Sequence, residues 1–112
     1  MTDEAADGPR DADDRPHYLV VTATVTDPER MRAYNERLRA SGLYERHGGR
    51  YLLIGRPVQT LENWDGRAVV VAAFPSRAAA EAFWNSETYQ TEIKPLRAGA
   101  GTFHVAIFPA AP

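Results

Sequence analysis

The sequence predicts an α+β fold of order β-α-β-β-α-β, a four-stranded antiparallel sheet with two helices on one face. Three features carry this expectation: an unbroken apolar run at Ala68–Phe74, two further β-branched segments near the chain ends, and two stretches of helical spacing, each following a strand. At 112 residues, with 44% hydrophobic and 25% charged side chains, the chain is long enough for one domain with a real core.

Residues 17–26 read as the first strand, with Leu19, Val21, Ala23 and Val25 alternating against Tyr18, Val20, Thr22 and Thr24. Both faces are largely apolar or β-branched, so both are expected to be covered. Asp27 suits an N-cap and Pro28 a first helical turn, while Glu29 complements the helix dipole. Met31, Tyr34 and Leu38 mark the buried stripe of that helix. Ser41-Gly42 weakens it, Leu43 to His47 form a further turn, and Gly48-Gly49 end it. Arg50 to Gly55 is the second strand, and residues 58–62 read as a short extension before a turn at 63–66. The apolar run of the third strand is that of a central, doubly covered one. Pro75-Ser76 opens a second helix through Trp84. Residues 86–96 hold another helical piece in which Tyr89, Ile93 and Leu96 share a face, and residues 102–108 are the last strand. The right-handed crossover rule puts the first and third strands side by side, as parallel neighbours. An apolar sheet face left without helices implies a partner, most simply a second copy packed about a two-fold axis.

Charge divides the chain. Residues 1–16 carry six acids against two arginines and no large apolar side chain beyond Met1, so they read as a disordered acidic tail. The expected domain is 17–109, with 110–112 as a short C-terminal tail. The body is slightly basic although the whole chain has a net charge of −2, which gives no uniform attraction to nucleic acid. No apolar run approaches the ~20 residues that span a bilayer, so no membrane helix is expected. With zero cysteines and no apolar leader, disulfides and thiolate chemistry are excluded and a cytoplasmic location is expected. No paired-histidine metal motif, P-loop, Gly-x-Gly-x-x-Gly or Gly-x-Ser-x-Gly occurs, so neither metal nor cofactor is expected.

Three separated motifs occur together: His47-Gly48-Gly49-Arg50-Tyr51-Leu52, Phe74-Pro75-Ser76, and Ala82-Phe83-Trp84-Asn85-Ser86-Glu87-Thr88-Tyr89-Gln90. With the opening strand and Thr26-Asp27-Pro28, they resemble the DUF1330 family of the dimeric α/β-barrel superfamily over about residues 17–108. The resemblance implies a ferredoxin-like fold and a homodimer. Its superfamily includes cofactor-independent monooxygenases, muconolactone-type isomerases, haem-dependent chlorite dismutases and ligand-binding proteins, among which fold alone does not choose. The chain departs from the family at Ile54, where a basic residue is expected. Arg56, two residues on and on the same face of a regular strand, offers the charge instead.

Candidate chemistry rests on few residues. His104 in the last strand and His47 at the end of the first helical region are alternative general bases. His47 also reads as a helix C-cap and His104 as an interface residue, while His17 is incidental. Tyr34, Tyr44, Tyr51, Trp84 and Tyr89 could line one cleft suited to a flat, oxygenated organic ligand. Trp64 could cover its mouth or simply pack on the surface. In the expected mechanism His104 or His47 moves a proton and Tyr34 or Tyr89 donates to an oxyanion. Arg56 or Arg50 holds a carboxylate or carbonyl, with Trp84 and Tyr51 in the wall. Isomerisation, cyclisation, lyase chemistry and cofactor-free oxygenation are all compatible with these residues. A non-catalytic small-molecule-binding or chaperoning protein is the alternative.

Overall fold

The computed structural model describes residues 15–112; the expected acidic tail lies outside these except for its last two residues. Four strands, β1 (His17–Val25), β2 (Arg50–Gly55), β3 (Ala68–Phe74) and β4 (Gly101–Pro109), form one sheet in the order β2-β3-β1-β4. Every neighbouring pair is antiparallel. The ferredoxin-like α+β fold is as expected, with one correction: β1 and β3 are neighbours but run antiparallel. Each helical crossover joins strands that are parallel but not in contact, because β3 lies between β1 and β2 and β1 lies between β3 and β4. The β1–β4 ladder continues beyond the strands, where Ala110 N donates to Pro16 O at 2.9 Å.

Helix α1 (Pro28–Ser41) starts where the Asp27 side chain accepts from Arg30 N, at 3.2 Å, and stops at Gly42, whose φ of 66° is left-handed. The short helix α2 (Leu43–Arg46) follows. Helix α3 (Arg77–Trp84) is capped by Ser76 Oγ, which accepts from Ala79 N at 3.1 Å. A π-helical turn (Thr88–Ile93) and a 3-10 turn (Lys94–Arg97) complete the helical layer. Their buried side chains are Tyr89, Ile93 and Arg97; Leu96, expected on that face, is exposed.

The core lies between this layer and one sheet face. Leu19, Ala72 and Phe74 meet Leu38, Leu43, Ala80, Phe83 and Ile93, with Val105 and Ile107 packed against them. Along β4, half-buried Phe103, Val105 and Ile107 alternate with exposed Thr102, His104, Ala106 and Phe108. Cross-strand partners share a face, so His104 lies with Thr22 and Val69, and Ala106 with Val20 and Val71, on the helix-free side. Residues 56–67 contain no strand; the expected extension at 58–62 is exposed and irregular, and Val58 and Leu61 contact little.

Candidate functional site

Helical packing gathers the aromatic residues between sheet and helices. Tyr34 shares the buried stripe of α1 with Leu38, and Tyr89 is held at the start of the π-helical turn, where its N–H donates to Ser86 Oγ at 3.2 Å. Their hydroxyl oxygens are 2.7 Å apart in a buried setting. Rings continue outward from Tyr89 to Trp84, at 5.2 Å between centroids, and to Phe83, at 5.0 Å. Phe83 stacks on Tyr44 at 4.5 Å, and Tyr44 meets Tyr51 of β2 at 4.7 Å. Tyr34, Trp84 and Tyr89, from three separate helical stretches, therefore converge on one cluster.

Burial pushes the Tyr34 phenol well above its ordinary range, and the adjoining Tyr89 adds to the shift. Burial likewise raises Tyr44, Tyr51 and Tyr89. These hydroxyls are neutral near pH 7, which makes them donors to a ligand oxygen rather than bases. The Tyr34–Tyr89 hydrogen bond uses one of two hydroxyl protons. The other has no acceptor among the described residues.

Arg97, which sequence reasoning passed over, stands beside this pair. Its guanidinium carbon lies 5.6 Å from the Tyr34 ring centre and 4.4 Å from that of Phe103. The residue is 8% exposed, and its side chain has neither a hydrogen bond nor a carboxylate partner among the described residues. It faces a cavity of about 460 Å³ that is also lined by Gln90, Lys94, Phe103 and the 98–101 turn. Lys94 Nζ lies 5.0 Å from the Trp84 ring centre.

The remaining candidates lie elsewhere. His104 is on the opposite sheet face, across β1 from Thr22, and cannot reach this cluster through the sheet. His47 caps α2 and sets its ring edge against Phe83 at 6.3 Å, so it touches the cluster's far side from Tyr34. His17 is buried, with Nδ1 2.8 Å from the Arg15 carbonyl oxygen. Arg50 pairs with Ala73, placing it on the helix-free side, and Arg56 lies beyond the end of β2. The alternation that was expected to carry Arg56 on the face of Ile54 stops at Gly55, the last residue of β2, whose φ is 132°. Arg56 instead borders a second groove, of about 410 Å³, with Leu53, Leu61, Trp64 and Val69. Trp64 therefore does not cover the aromatic cluster. No group of three metal-ligating side chains occurs among the described residues.

Fold and site together define a ferredoxin-like α+β protein with a buried aromatic cluster between sheet and helices and an Arg97-bearing cavity beside it. Residues 16–111 match the family described as a domain of unknown function, DUF1330, and the chain belongs to that family. Among solved structures, a protein of unknown function from Rhodopseudomonas palustris superposes with a TM-score of 0.63 at 20% identity, covering 100% of this chain and 95% of that one. SnoaB, a cofactor-independent oxygenase from Streptomyces nogalater, gives a TM-score of 0.59 at 18% identity, covering 88% of this chain and 95% of its own. A dimeric ferredoxin-like protein of unknown function from Thermobifida fusca gives 0.62 at 11%, covering 85% and 91%. No curated protein matches the chain. At these identities the likeness is one of fold.

Proposed function

We propose that the protein is a small, cofactor-independent enzyme acting on an aromatic or oxygenated organic molecule held between its helices and its sheet. The observation that carries this reading is the buried Tyr34–Tyr89 pair, with a 2.7 Å oxygen separation and one hydroxyl proton left unused. Burial keeps both phenols protonated, so they are preorganised to donate to a phenolate or enolate oxygen as charge develops on it. No histidine faces the pair, and the base role expected of His104 or His47 is left out. The substrates that fit are those acidic enough to ionise on binding. Isomerisation, cyclisation and lyase reactions proceed through such anions. Oxygenation belongs with them because electron-rich phenolates can react with dioxygen without a metal, and because SnoaB, a cofactor-independent oxygenase, has this fold.

Assembly as a homodimer through the helix-free sheet face is part of the proposal, and the Thermobifida fusca protein of this fold is dimeric. The lack of an imidazole at the Tyr34–Tyr89 pair favours a second reading, a binding protein that holds the same ligand without turning it over.

The test uses Trp64→Phe protein, in which fluorescence reports on Trp84 alone, and 2-naphthol as probe. Tyr34→Phe should weaken binding by about 0.5–1.5 kcal/mol, the net worth of a neutral hydrogen bond. Unchanged affinity would make Tyr34 a core residue only. Dioxygen uptake or product formation with a panel of hydroxylated aromatics separates the enzyme from the binder.

A further inference from the structure

We propose that Arg97 is the anchor for a carboxylate on the ligand, and that the molecule held here is an aromatic or conjugated carboxylic acid. This rests on the reading of the cleft as a small-molecule site and names the chemical class it takes.

A guanidinium buried to this degree is ordinarily matched by a carboxylate, because an unpaired buried charge is costly. Arg97 has no such match among the described residues. Two acids on adjoining segments are engaged elsewhere: Asp27 with Arg30 at 3.6 Å, and Glu92 with Arg37 at 2.6 Å. The cavity it faces contains two cations, Arg97 and Lys94, the amide of Gln90, and no acid. Tyr34 and Phe103 lie against the guanidinium at 5.6 and 4.4 Å, and its N–H edge, without a partner among the described residues, is the part a ligand would meet. That edge is a fork suited to a carboxylate in bidentate contact. Phe103 gives the cavity an aromatic wall, which suits a conjugated body better than a bare inorganic anion. An acid anchored at Arg97 would lay its ring along Phe103, which lines the same cavity 4.4 Å from the guanidinium.

The residue also sits where the helical repeat would place an apolar side chain. Tyr89, Ile93 and Arg97 follow one another at four-residue steps, and all three are buried. A fold built for stability alone would gain from a methionine here.

The experiment compares 1-naphthoate with 1-naphthamide, which share a body and differ in charge. Each is titrated into the full chain by calorimetry, and binding is located by backbone amide shifts. Wild-type protein should bind the acid roughly tenfold or more tighter than the amide, as expected for a charge-assisted contact. Arg97→Met should erase that preference by weakening the acid far more than the amide, and keep or raise the melting temperature. Arg97→Lys, which retains the charge but not the fork, should keep part of the preference. Equal binding of acid and amide to the wild type, or a preference that survives Arg97→Met, overturns the assignment and leaves the cleft standing. Inorganic phosphate displacing the acid at equal concentration also overturns it, because the site would then be a general anion site. Binding of neither probe removes both the assignment and the reading beneath it.

Discussion

Gly48 and Gly49 stand side by side for different physical reasons. Gly48 has a φ of 76°, the left-handed conformation that ends α2. Gly49 needs space: a Cβ there would lie 2.6 Å from the Phe74 ring and 2.9 Å from that of Tyr44. Gly49→Ala should therefore cost about 1–3 kcal/mol, the usual penalty for overpacking a core. It should also disturb the near-ultraviolet signal of the stacked rings. Chemical denaturation of Gly49→Ala beside Gly48→Ala tests this, and a smaller loss at Gly49 would contradict it. Sequence reasoning assigned both glycines to the helix end, because the contact at Gly49 depends on two residues brought from elsewhere. Arg97 was illegible for a related reason. Among the described arginines, nothing local separates the buried Arg97 from the more exposed ones, and Arg50 and Arg56 were favoured for their strand position. What singles out Arg97 is burial without a partner among the described residues, which only packing reveals.

At the level of elements, patterns with a fixed period were readable and departures from period were not. The apolar run of β3 and the caps at Asp27 and Ser76 are local signals, and the structure contains those elements at those residues. The helical repeat after residue 86 misplaced Leu96 because the segment winds as a π turn and then a 3-10 turn. That change of winding puts Arg97 where an α-helix would put Leu96. It also brings Tyr89 to Tyr34, and their hydroxyl contact joins the Arg37–Glu92 ion pair in tying this segment to α1. Both phenols are raised by burial, so the folded state favours their protonated forms. The stability they contribute is fully present below about pH 10, the ordinary phenol value, and is lost as pH rises through the folded values. Alkaline titration should show tyrosinate absorbance in two stages, the later one coinciding with loss of near-ultraviolet ellipticity. If all five tyrosines ionised together near pH 10 with the fold intact, the cluster would not be sealed as described.

For the whole molecule, the unresolved balance is on the sheet's helix-free side. The sequence already indicated two apolar faces on β1 and β3, and helices cover one of them. Tyr18, Val20, Val69, Val71, Ala106 and Phe108 fall on the other by register. The groove at Leu53, Leu61 and Trp64 extends that apolar surface past the end of β2. His104 belongs to this face too, where a strand histidine meets a partner more naturally than a substrate. Two copies packed face to face would bury Val20 and Val71, which occupy the middle of the sheet, and should remove at least ~1,200 Å² from water. Light scattering at micromolar concentration should therefore give twice the chain mass of 12.4 kDa. Val71→Arg should leave a folded monomer with a lower melting temperature, since the charge meets its own symmetry mate only in the dimer. Ala78→Arg, on the exposed side of α3, should stay dimeric and serves as the control for added charge. A wild-type particle of one chain mass would sink the interface. A Val71→Arg dimer would move it to another surface, and the groove around Trp64 would be the first place to look.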